Sequence, residues 1–258
     1  MKKAIFDTIV HLNARPVVAN TLKRFAMSRF SKPLIRPFIR TYHIQTDQAL
    51  KSVDSFTSLH DCFVRELRPG MRPIATAPDA FVSPSDAVLS IVPALTQDSR
   101  FTIKGQDYTV TELIGSSERA QDYANGVALI FYLSPTDYHR VHSPVTGEIT
   151  TSYTLGRESA PVNDMGLRFS KRPLTRNYRR ITRLQVDHRT IEHVMVGALN
   201  VNTIVQTHQG RLLERGAEFG YFSFGSTVIL VLPPDTVELA PGIERRVKMG
   251  EQIGRWIP

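Results

Sequence analysis

Tyr221-Phe222-Ser223-Phe224-Gly225-Ser226-Thr227-Val228-Ile229-Leu230-Val231-Leu232 is an aromatic and β-branched run with small residues at its middle. It reads as a strand apolar enough to stay buried. Outward from it, apolar or alternating runs at 101–103, 127–133, 147–153, 192–201, 203–207 and 247–257 are separated by Gly, Pro, Asn and Asp, which punctuate strands. A helix is predicted from Leu59 to Leu67, where Ser58 can cap and Cys62, Phe63 and Leu67 repeat at helical spacing. A helical insert is predicted over 111–123. Together these predict an α+β fold, a mostly antiparallel β domain with peripheral helices. The chain shows no internal repeat, low-complexity tract or long linker.

Gly225-Ser226-Thr227 is where chemistry enters. A serine hydroxyl can attack the carbonyl that precedes it, and glycine before it best tolerates the strained backbone this needs. Elimination of the resulting ester would leave Ser226 as a pyruvoyl group. Its ketone can form a Schiff base with an amine and draw electrons from the neighbouring carbon, as an amino-acid decarboxylase requires. Small residues in a strand also mark a bulge or a close backbone approach, so the tripeptide alone decides nothing. Its company does more: Tyr132-Leu133-Ser134-Pro135-Thr136-Asp137-Tyr138-His139-Arg140-Val141-His142 carries two histidines, and Phe81-Val82-Ser83-Pro84-Ser85-Asp86 supplies a carboxylate. Nucleophile, base and acid are then all present.

These residues resemble the phosphatidylserine decarboxylase proenzyme family, of the short bacterial kind. The resemblance runs from Phe63-Val64-Arg65-Glu66-Leu67-Arg68 through Tyr132 to Arg140 and Val196-Gly197-Ala198-Leu199-Asn200-Val201 to Gly220 to Val228. It implies a self-cleaving triad of Asp86, His142 and Ser226, with His142 taking the proton from Ser226 and Asp86 orienting the imidazole. The cut between Gly225 and Ser226 would leave a β chain of 1–225 and an α chain of 226–258 that begins with the pyruvoyl cofactor. Phosphatidylserine would then be converted to phosphatidylethanolamine and carbon dioxide, with His139 aiding decarboxylation or delivering the proton. The two histidines are interchangeable at this stage. Three residues apart, they point to opposite faces of an extended segment but share one on a helical turn.

Three places in the chain depart from the family pattern. Ala87 follows Asp86 where glycine is usual, and a positive φ there would strain it. Asn177-Tyr178-Arg179-Arg180 replaces a more hydrophobic loop, and Asn202-Thr203 stand where small residues are common.

The 258 residues, 41% of them hydrophobic, suffice for one substantial core with an appendage. Cys62 is the only cysteine, which excludes a disulfide framework and a cysteine-based zinc cluster and suits a buried small hydrophobe. His139 and His142 with Asp137 lack a clear third ligand, so no metal is expected. Lys248 in Lys248-Met249-Gly250-Glu251 is not flanked as a carrier lysine would be. Phosphate loops and nicotinamide fingerprints are absent.

A net charge of +8 suits nucleic acid or anionic lipid, and its distribution decides between them. Among the first forty residues, basic side chains from Lys2 to Arg40 face only Asp7 and interleave with Ile9, Leu22, Phe25, Phe30, Ile35 and Phe38. Residues 1–45 therefore read as a basic arm of amphipathic helices broken around Pro16 and Pro33, with the catalytic domain over 46–258. Such an arm can lie on an anionic membrane, or pack its apolar stripe on the catalytic domain. No segment is long enough to span a bilayer, no secretory signal is apparent and no nucleic-acid motif accompanies the charge. The expected location is peripheral, on the cytoplasmic face of the cell membrane, and the resemblance adds a homodimer of processed units. Two other functions fit: a decarboxylase of a soluble amino acid with the same site, or a non-catalytic lipid-binding β domain.

Overall fold

A computed structural model describes residues 16–162, 167–168, 170–198, 204–223, 226–242 and 244–257, the side chains of 16–20 and 226 excepted. Gly225, the Ser226 side chain, Asn200 to Thr203 and the first fifteen residues of the arm lie outside the described residues. Helices are α1 (Pro16–Met27), α2 (Ile35–Tyr42), α3 (Leu59–Phe63), α4 (Val110–Ile114), α5 (Ser117–Ala120) and α6 (Pro173–Arg176). Strands are β1 (Ala80–Val82), β2 (Ala87–Val92), β3 (Arg100–Ile103), β4 (Gln106–Thr109), β5 (Val127–Leu133), β6 (Arg140–His142), β7 (Gly147–Leu155) and β8 (Arg179–Val186). They continue with β9 (Arg189–Gly197), β10 (Ile204–Gln206), β11 (Leu212–Leu213), β12 (Glu218–Phe222), β13 (Ser226–Leu232), β14 (Val237–Leu239), β15 (Arg246–Val247) and β16 (Gln252–Trp256).

The largest sheet is antiparallel, in the order β11-β7-β8-β9-β13-β5-β2-β15. β13 lies in its middle, with Ser226 opposite both Leu133 of β5 and Gly197 of β9. Val228 and Leu230 pack into one core with Phe131, Met195, Phe219 and Phe222, while Ile229 and Val231 pack into another with Leu113, Ile114, Tyr123 and Val194. The sheet β10-β12-β6 supplies the first core, and α4, α5 and the β3-β4 hairpin supply the second. Both faces of β13 are thus covered, which explains its unbroken apolar run. Each fully buried Val, Leu or Ile there contributes roughly 1.5–3 kcal/mol.

The α+β class is as expected, but several boundaries are not. The run from Tyr221 to Leu232 is two strands in different sheets, β12 and β13. The 247–257 run likewise divides into β15 and β16 around a turn, at Gly250, whose φ is +81°. The predicted helix from Leu59 stops at Phe63, though Ser58 caps it as expected by accepting from the Asp61 N–H at 3.1 Å. Arg179 and Arg180 are not in a loop: they open β8, which pairs with β7 and β9 along its length. Arg179 is buried because its guanidinium donates to the carbonyls of Glu112 (2.7 Å), Leu113 (2.7 Å) and Thr175 (2.6 Å). Ala87 pairs with Val247 at the start of β2 and has no positive φ, so it is unstrained.

α1 begins at Pro16, and Pro33 sits inside a 3-10 turn, Arg29–Leu34, between α1 and α2. Ser31 pins this turn to the domain: its hydroxyl donates to Ala26 O at 3.0 Å and accepts from the Leu59 N–H at 2.9 Å. Ile35 packs with Ala49, Phe56 and Cys62. Cys62 is fully buried, and burial pushes its thiol up to about 11, as suits a core residue.

Candidate active site

The turn after β5 is built by its own sequence. Pro135 follows Ser134, Asp137 N–H closes on Ser134 O at 2.9 Å, and the Asp137 carboxylate accepts from both the N–H and the hydroxyl of Ser134 at 2.7 Å. This turn delivers His139, whose carbonyl accepts from the Phe222 N–H at 3.0 Å. His139 is 1% exposed and lies against Phe63, ring centres 3.9 Å apart. Its Nδ1 donates to Asp137 O at 2.9 Å, while Nε2 has no partner among the described residues. That pairing assigns the proton to Nδ1 and leaves a bare lone pair on Nε2. Burial pulls the imidazole down to about 3, so it is neutral at physiological pH.

His142, on β6, has the same tautomer. Nδ1 donates to Gly216 O at 2.9 Å and Nε2 faces the Tyr138 hydroxyl at 3.3 Å. Burial lowers its pKa, partly offset by the Gly216 carbonyl and the Glu218 carboxylate. Between the two histidines, Arg140 clamps the strand by donating to Glu218 at 3.0 and 2.9 Å and to Val64 O at 3.1 Å.

The backbone of the aspartate segment adjoins His142, since Pro84 O accepts from the His142 N–H at 2.8 Å. Its carboxylate goes elsewhere. Arg72 Nε donates to Asp86 at 2.8 and 3.0 Å, and the Met249 N–H donates at 2.9 Å. Asp86 therefore makes no hydrogen bond to either imidazole and acts on His142 through its field, which favours the charged ring.

Four residues at this site had no role assigned from sequence. Tyr138 meets His142, and Arg72 holds Asp86. His60 Nε2 is 3.0 Å from the Ser223 hydroxyl, in the segment that leads to Gly225. Arg65, in the motif beginning at Phe63, donates to the carbonyl of Thr136 at 3.1 Å. The motif from Phe63 to Arg68 was a visible signal for Arg65, but the carbonyl it reaches is distant in sequence.

Among the described residues, the hydroxyl of Thr227, which is 1% exposed, and His139 Nε2 have no partner. A buried hydroxyl next in the chain to position 226 fits an added carbonyl as a donor, whereas the bare His139 lone pair fits a proton acceptor.

Residues 59–255 match the family described as phosphatidylserine decarboxylase. A phosphatidylserine decarboxylase proenzyme from Halalkalibacterium halodurans is 43% identical over 260 residues, spanning 100% of both chains. Proenzymes of the same description from Geobacillus kaustophilus and Bacillus anthracis are 40% and 36% identical, covering 99% and 98% of this chain and 98% and 97% of their own. These relatives are proenzymes by description, and the chain belongs to the phosphatidylserine decarboxylase family.

Proposed function

We propose that this chain is a phosphatidylserine decarboxylase that cuts itself between Gly225 and Ser226 and carries the resulting pyruvoyl group at position 226. The observation that carries the reading is strand register. Ser226 lies opposite Leu133, the last residue before the turn that delivers His139.

In the self-cleavage step, His142 accepts the Ser226 proton at Nε2. Gly216 O holds the tautomer that this requires, and Asp86 steadies the charged ring through space. For the second step, a pyruvoyl group at position 226 would supply a ketone able to take up the substrate amine and withdraw electrons from the carbon that loses carbon dioxide. His139 then handles the proton at the substrate carbon through its uncommitted Nε2, its ring held against Phe63.

The enzyme works at the cytoplasmic face of an anionic membrane, as a homodimer of processed units, with the arm of residues 1–45 as its contact. Phe30 is 85% exposed, and Leu22, Phe25, Met27 and Leu34 are also exposed beside Lys32, Arg29 and Arg36. Such a surface suits a headgroup layer. No described helix is long and apolar enough to cross a membrane.

Purified wild-type protein is expected to run as two chains on a denaturing gel and to release carbon dioxide from phosphatidylserine vesicles but not from free serine. Ser226→Ala is expected to remain one chain and to release none. A Ser226→Ala protein that still splits refutes the assignment, and turnover of free serine alone refutes the lipid substrate.

A further inference from the structure

A cleft of ≈ 430 Å³ opens beside Asp86, lined by side chains of both signs. Its carboxylates are all engaged: Asp86 by Arg72, Glu251 by Arg245 at 2.6 Å, and Asp137 by Arg246. Two of its cations have no carboxylate partner among the described residues. Lys248 is exposed. Arg65 is only 5% exposed; it donates from one terminal nitrogen to Thr136 O at 3.1 Å and Asp137 O at 3.4 Å, and its Nε and Nη1 have no partner among the described residues. A guanidinium buried with open N–H groups is unfavourable until an anion reaches it, and its planar fork matches a phosphate or carboxylate.

Position relative to the histidines chooses the ligand. Asp137 O accepts both from Arg65 and from His139 Nδ1 at 2.9 Å, so an anion on Arg65 sits one carbonyl away from the imidazole. Of the two anionic groups on a serine phospholipid, the carboxylate is the one that must depart. A cation gripping it would stabilise the ground state more than the transition state, whereas the phosphodiester keeps its charge throughout.

We propose that Arg65 and Lys248 form a subsite for the phosphodiester of the lipid headgroup, which holds the substrate so that its amine and carboxylate reach position 226. This subsite rests on the decarboxylase reading. Arg72 is committed to Asp86, and Arg245 and Arg246 are neutralised by their own partners, so the specificity falls on two residues.

Calorimetric titration of the processed protein with glycerophosphoethanolamine, and separately with inorganic phosphate, tests it. The diester is expected to bind more tightly than inorganic phosphate, and its affinity to drop at least tenfold in Arg65→Gln and several-fold in Lys248→Gln. The exposed Lys248 variant carries the test should Arg65→Gln fail to fold. Equal diester affinity in the variants and wild type overturns the subsite, and tighter binding of inorganic phosphate overturns its assignment to a lipid headgroup. KM for phosphatidylserine vesicles separates the two readings. Turnover with KM unmoved in the variants removes the subsite and leaves the enzyme, whereas Arg65-dependent diester binding without any carbon dioxide release removes the enzyme and leaves the subsite.

Discussion

His193 is 2% exposed on β9, edge-on to Phe219, and neither ring nitrogen has a partner among the described residues. Burial pulls its pKa down to about 4, and that of His139 to about 3. An unfolded histidine takes up its proton near pH 6.5. Between about pH 6.5 and 4 the unfolded chain therefore binds protons that the folded chain refuses, and stability falls as pH falls. Glu192 and Asp137, whose pKa values burial raises, act in the opposite sense above the ordinary carboxylate range. His193→Phe isolates one contribution. At pH 7.5 the variant is expected to be more stable by about 1 kcal/mol, because an unsatisfied buried polar group is replaced by an apolar ring. Chemical denaturation repeated at lower pH is expected to widen that gap by ~1 kcal/mol per pH unit down to about pH 4. A gap that stays constant would show that His193 does not resist protonation in the folded state.

At the scale of elements, the proposed cut falls between β12 and β13, and β13 is held on both sides by β5 and β9. The new chain end therefore remains part of a central strand. The two chains are expected to co-elute in size exclusion under native conditions and to part only in denaturant; spontaneous separation would contradict this. Leu230 is fully buried opposite Leu129 and His193, and Leu230→Ala is expected to cost about 3 kcal/mol in urea unfolding. β13 was legible as a strand because covered faces leave no polar alternation. β8 was not, since its arginines look like a solvated loop until the carbonyls that accept from Arg179 are brought in from α4. The split of Tyr221 to Leu232 was hidden because both strands are apolar and the small residues between them fit one bulged strand equally well. At the site, histidine spacing was readable but the imidazole partners were not: Gly216 O and Asp137 O are backbone atoms, which no side-chain pattern announces. The pairing of Asp86 with Arg72 depends on a fold-level encounter of the same kind.

For the molecule as a whole, one side of the arm is committed and the other is not. Ser31 and Ile35 dock it, and Arg36 pairs with Asp54, while Phe30 stands out from the surface. Phe30→Glu is expected to weaken sedimentation with anionic vesicles about tenfold, consistent with the roughly 1.5–3 kcal/mol for burying a large apolar side chain. Binding is also expected to weaken as salt rises, since the arm's cations lie near the surface. Unchanged binding on both counts would assign membrane contact to another face. The claim on which the rest depends is covalent, and intact-mass measurement of the separated chains addresses it. Self-cleavage predicts a chain of residues 1–225 ending at Gly225 and a chain of residues 226–258 lighter, by one ammonia, than the same peptide beginning with serine. A single species with the mass of all 258 residues in catalytically active protein would contradict it.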